Sequence, residues 1–190
     1  MENGAVIACD DGIVEKLDPS RATLAACLLW HENRVKGSGF LRVRVDGLDA
    51  TGQLAFIVKS LSSRMPGVTA ILLDSLTIGG FNLVSPAGLS EATGLPVIVL
   101  YKRMPRTDRI ISAVMKHFPD YKLRLRVLRL LDNITVLHTR RGPLYSILWR
   151  LTPETALSIV ESVQVWSRMP EPLRAAHYYA SEISRILIRG

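Results

Sequence analysis

At 190 residues, 48% of them hydrophobic, the chain is long enough to bury a core, which excludes a disordered protein. A formal net charge of +7 and a pI near 9.8 favour an anionic partner such as nucleic acid, although a solvated basic surface has the same composition. No apolar run approaches the ~20 residues that cross a bilayer, and two cysteines do not make a disulfide framework.

The opening Met1-Glu2-Asn3-Gly4 has no basic segment of the signal-peptide kind, so the chain reads as soluble and cytoplasmic, with no membrane partner. AVIAC (5–9) is an apolar strand running into Asp10-Asp11-Gly12, and 12–21, with Pro19, reads as a loop. TLAACLLW (23–30) is a second strand, His31-Glu32-Asn33 a turn, and RVKGSGFLRVRV (34–45) a third strand with a bulge or bend at Gly37 and Gly39. Alternation with Arg42 is read as turning Phe40 to the core. Cys9 and Cys27 lie in these apolar runs and read by default as buried free thiols, although adjacent strands could bring them close.

Leu54, Ile57, Val58 and Leu61 have helical spacing within 50–64, and Asp49 is placed to cap that helix. VTAILLD (68–74) is a strand covered on both faces, ending in an acid. A Gly-Gly-Phe-Asn loop (79–82) and a short helix near 86–93 follow, then the strand PVIVLYK (96–102) and an amphipathic helix over 107–118. KLRLRVLR (122–129) reads as an exposed strand or a short helix. Its Lys122, Arg124, Arg126 and Arg129 are a candidate nucleic-acid surface, against the plainer reading of a solvated face. Residues 133–139 and 143–151 read as a hairpin. Thr152-Pro153-Glu154 starts a helix to about 168, and a last helix runs from about 172 to 188.

Three strands with short turns, then strands alternating with helices, predict an α/β fold. Its mixed sheet is an antiparallel meander followed by parallel strands, flanked by helices, with a C-terminal hairpin and helices. That order resembles the ribonuclease H-like fold. Asp10, Asp46 and Asp74 each lie at or near a strand end, and open α/β sheets bind ligands beyond the carboxyl ends of their parallel strands. Paired carboxylates repel unless a cation lies between them or one is protonated. Strand-terminal aspartates also start turns, so the pattern alone is weak.

The C-terminal run PEPLRAAH (170–177) resembles the "RLPEPTR-x-AH" segment of endonuclease V. From that anchor, IACDDG (7–12) resembles the family's "GVDVS" strand, GFLRVRVDG (39–47) its "GLLAFREGP", TAILLDS (69–75) its "LLVDG" and GLPVIVLYK (94–102) its "PTIGVAK". The resemblance spans nearly the whole chain and implies one endonuclease V-like domain over 1–190. VDGLDAT (45–51), LDSLTIGGFN (73–82) and GLPVIV (94–99) are more similar still to an uncharacterised, mainly archaeal family related to endonuclease V.

The resemblance implies Asp10, Asp74 and His177 as ligands of Mg²⁺ or Mn²⁺. It implies Asp46, in place of a glutamate, as the group that binds or orients the attacking water, and Lys102 as the active-site lysine. It implies metal-dependent phosphodiester hydrolysis on DNA or RNA. The nuclease's "PYIPG" wedge has no counterpart in VKGSGF (35–40), and SLTIGGFN (75–82) replaces its "GHGIAHPR" loop. These departures predict no specificity for a deaminated base. They also leave open a non-catalytic nucleic-acid-binding or interaction protein on the same scaffold.

Overall fold

Alternating side chains set the frame. The structure, a computed structural model, describes residues 4–12 and 22–189, so most of the loop read over 12–21 lies outside the described residues. Strand β1 (Ala5–Asp11) lies inside the sheet, paired on both sides. Its Ala5, Ile7 and Cys9 enter one core and its Val6 and Ala8 another. This period of two places the strand between two covered faces.

Strands β2 (Ala22–His31), β3 (Arg34–Arg44), β4 (Val68–Leu73), β7 (Val97–Tyr101), β8 (Thr135–Thr139) and β9 (Gly142–Trp149) complete a seven-stranded sheet. Its order is β3-β2-β1-β4-β7-β9-β8. β1, β4 and β7 are parallel, β2 and β3 form the antiparallel meander, and β9 and β8 extend the far edge as an antiparallel hairpin. A separate two-stranded ribbon, β5 (Thr77–Ile78) and β6 (Asn82–Leu83), rises after β4. This is the mixed sheet that the sequence predicts.

Helix α1 (Ala50–Ser62) covers one face, with α2 (Pro86–Thr93), α3 (Thr107–His117) and α4 (Tyr121–Leu128) contributing side chains to the same core. Helices α5 (Pro153–Ser162) and α6 (Glu171–Arg189) cover the other face, burying Ala156, Val160 and Leu173 against Ala8, Leu72 and Ile98. The 122–129 segment is therefore a helix.

Four local expectations are corrected. The bulge in β3 falls at Lys36, since pairing steps from Leu29↔Gly37 to Trp30↔Val35. Gly39 instead makes room for α1: a Cβ there would lie 2.7 Å from Ile57 Cγ2. Asp49 makes no side-chain cap on α1. Asn82 reaches across to do so, accepting the Ala50 N–H at 3.0 Å while donating to Asp49 Oδ1 at 2.6 Å. α5 stops at Ser162, short of 168, because the Glu171 carboxylate accepts the N–H groups of Val165, Trp166 and Ser167 and holds that loop out of helix.

The fourth correction concerns the cysteines. Register places Cys9 directly opposite Cys27, and they form a disulfide rather than free thiols. The bond closes a loop of sequence separation 18. Cys27→Ala, or reduction, is expected to cost about 3 kcal/mol through the freed unfolded chain. Urea melts with and without reductant measure this. Coincident curves would show that the bond carries no stability.

Candidate active site

Parity brings the site together. Val6 and Ala8 of β1, Ala70 and Leu72 of β4, and Ile98 and Leu100 of β7 all face the α5/α6 side. Two residues on, at the carboxyl ends of these parallel strands, stand Asp10, Asp74 and Lys102. All three line one cavity of about 480 Å³ under α6. His177, Arg174 and Tyr178 of α6 form its opposite wall, with Met169 and Leu173 as the apolar part.

Asp10 is buried and oriented from two sides. Its Oδ1 accepts the Asp11 N–H at 2.8 Å, and its Oδ2 lies 3.1 Å from His177 Nδ1. The same ring nitrogen lies 3.1 Å from the Asp11 carbonyl oxygen. Two acceptors around one nitrogen fix the proton on Nδ1. Hydrogen bonding to Asp10 is the main cause that raises the His177 pKa to about 9. The imidazole is 51% exposed, so solvent screens much of that attraction.

Burial, then the Asp10 charge and a hydrogen bond with Asp10, push Asp74 up to about 8. Asp74 therefore keeps its proton at neutral pH. Burial is likewise the main cause that lifts Asp11 to about 6. The three shifts share one sign. Between the unfolded and folded pKa values the folded protein holds protons that the unfolded chain has released. The metal-free protein should therefore lose stability steadily as pH rises from about 4 to 9. Thermal melts across that range in chelator check this, and stability rising with pH would contradict it.

Asp46 does not join them. β3 ends at Arg44, and Asp46 takes a left-handed φ of 57° that breaks the alternation. Its Oδ1 accepts the Phe81 N–H at 2.7 Å, its own N–H donates to Gly79 O at 2.8 Å, and it is absent from the cavity lining. Asp11, on the face opposite Asp10, accepts the Gly79 N–H. Asp11 and Asp46 thus both hold the 79–82 turn. Sequence reading missed Asp11, although it adjoins Asp10, and Arg174, which precedes His177 by one helical turn. Among the described residues no three His, Cys, Asp or Glu side chains form a ready-made ion cage. Two carboxylates lining one cavity still suit a hard divalent ion, since Mg²⁺ binds through one or two carboxylates and keeps its waters.

The basic row divides. Lys122, Arg126 and Arg129 are exposed. Arg124 is only 4% exposed and so drops out of any solvent-facing surface. It pairs with Asp120 at 2.9 Å and donates to Asp46 O at 2.8 Å, Gly47 O at 3.2 Å and Phe81 O at 2.6 Å.

Sheet order defines a ribonuclease H-like α/β protein. A family model described as endonuclease dU matches residues 3–184, and the chain belongs to that family. A UPF0215 protein of Aeropyrum pernix is 44% identical, over 96% of this chain and 100% of its own length. The crystal structure of a protein of unknown function from Archaeoglobus fulgidus superposes with a TM-score of 0.81 at 29% identity, covering 95% of this chain and 98% of that one. Ciona intestinalis endonuclease V, in complex with DNA containing an inosine, matches with a TM-score of 0.60 at 15% identity, covering 97% and 86%. That last likeness is one of fold. No described helix is long and apolar enough to cross a membrane.

Proposed function

We propose that this protein hydrolyses phosphodiester bonds in nucleic acid with Mg²⁺ or Mn²⁺ held by Asp10 and Asp74. The observation that carries this reading is the pair of strand-end carboxylates, Asp10 and Asp74, lining one cavity with Lys102 and Arg174. When bound, the ion supplies Lewis-acid charge to the phosphate and lowers the pKa of a coordinated water. His177 holds its Nδ1 proton against Asp10 and fixes the orientation of that carboxylate. Lys102 and Arg174 neutralise the phosphate and steady its extra charge in the transition state. In this reading Asp46 positions the 79–82 turn and does not direct the water.

The family's name makes deoxyuridine the first modified base to test. Deoxyuridine is itself a deaminated base, and this stands against the expectation drawn from the missing wedge. That expectation is kept for inosine, because flipping a base out of a duplex costs a few kcal/mol and no aromatic, proline-braced loop lies at 35–40 to offset it.

A non-catalytic nucleic-acid-binding protein is the second reading, favoured by the turning of Asp46 away from the pair. Labelled single strands and duplexes, undamaged or carrying one deoxyuridine or one inosine, separate the two in Mg²⁺ and Mn²⁺. Cleavage lost in Asp10→Asn and not confined to the inosine strand is the expected result. No cleavage of any substrate would leave the binding reading.

A further inference from the structure

We propose that Phe40, Tyr178 and Tyr179 form a stacking platform for the bases of single-stranded nucleic acid. This platform rests on the reading above and names the strand form that approaches the site.

Phe40 was expected in the core. It shares a face of β3 with Arg42 and Arg44, because residues two apart point the same way, and all three are exposed. The Phe40 ring lies parallel to that of Tyr179, 9° apart in plane, with centroids separated by 6.4 Å. The next ring along α6, Tyr178, stands edge-on to His177 at 6.2 Å and lines the acid cavity. Exposures are 37% for Phe40, 57% for Tyr178 and 43% for Tyr179.

Three large rings in water beside the catalytic cavity are not the usual scatter of single surface hydrophobes. Their surroundings fix the occupant. Arg42 and Arg44 border Phe40, and Arg174 lies one turn before Tyr178. A cationic rim around π faces suits a ligand with phosphates outside and flat apolar bases inside. A duplex hides those base faces in its own stack, whereas an unpaired strand offers them. From the platform, Tyr178 and Arg174 lead into the cavity of Asp10, Asp74 and Lys102.

Binding is measured in chelator, so that cleavage plays no part. Fluorescence anisotropy compares a labelled single strand with an abasic strand carrying the same number of phosphates. The wild-type protein should bind the abasic strand about tenfold or more weakly, the usual scale for lost base stacking. Phe40→Ala with Tyr179→Ala should weaken the normal strand about as much, leave the abasic strand and a duplex unchanged, and keep the salt slope, since no phosphate contact is lost. Phe40→Tyr and Tyr179→Phe, which keep the rings, should restore binding. Equal wild-type affinity for normal and abasic strands would overturn the platform, as would losses that fall equally on all three ligands. Base-dependent binding without any cleavage would overturn the hydrolytic reading and leave the platform standing. Cleavage without base-dependent binding would do the reverse.

Discussion

Asp74→Asn should stabilise the metal-free protein and at the same time remove its response to Mn²⁺. Asp74 is half-buried beside Asp10 and keeps a proton to a pKa of about 8. At neutral pH the folded chain must hold that proton, whereas the unfolded carboxyl has released it. Asparagine has the same shape and no charge to suppress. The gain should be about 1–3 kcal/mol at neutral pH and should grow toward pH 8. Wild type should gain about 2.7 kcal/mol from Mn²⁺ at a hundred times its dissociation constant, and the variant almost none. Cleavage should fall with the ion. Thermal melts of both proteins, with and without Mn²⁺, decide the matter. Equal Mn²⁺ shifts in the two would place the ion elsewhere.

The second large effect lies away from the cavity. Arg124 is a buried cation whose guanidinium joins Asp120 to the backbone carbonyls of Asp46, Gly47 and Phe81, and lies 4.1 Å over the Phe118 ring. It ties α4 to the turn after β3 and to the 79–82 turn. Arg124→Ala strands Asp120 and three carbonyl oxygens together. Asp120 is part-exposed and can turn to water, so the cost falls mainly on the carbonyl oxygens left without a donor, about 3–5 kcal/mol for the three together at roughly 1–3 kcal/mol each. For a chain of this size that lowers Tm by roughly 6–20 °C. Arg124→Lys should recover only part, because an ammonium cannot reach several fixed acceptors as a planar fork does. Arg126→Ala, one exposed residue along the same helix, should change Tm by less than about 2 °C, as surface substitutions usually do. Equal small effects from Arg124→Ala and Arg126→Ala would show that Arg124 is not a clamp.

Much of this fold was legible because local patterns and tertiary packing agree. Continuous apolar runs at 5–9, 68–74 and 96–102 marked the three parallel strands, and the acids and the lysine at their ends share one face because the period is two. Thr152-Pro153 started its helix as read, with Thr152 Oγ1 accepting the Thr155 N–H at 3.3 Å.

What failed depended on partners distant in sequence. Asp46 obeys strand parity only as far as the strand lasts, and one left-handed residue turned it to Phe81. The α1 cap came from Asn82, 32 residues beyond Ala50. Arg124 sits in a row of basic residues that looks uniform in sequence, yet helix geometry buries it and leaves Lys122 and Arg126 exposed. Phe40 was a misapplied rule: residues two apart share a face, so its spacing from the exposed Arg42 places it outside. The disulfide followed from register, which composition does not contain.

The central claim is that Asp10 and Asp74 together hold a divalent cation. The most direct measurement is anomalous diffraction from crystals soaked in Mn²⁺. The account predicts an anomalous peak within ligand distance of both the Asp10 and Asp74 carboxylates, in the cavity that Lys102 also lines. A peak elsewhere, or none at these two acids while Mn²⁺ occupies other sites, would contradict it.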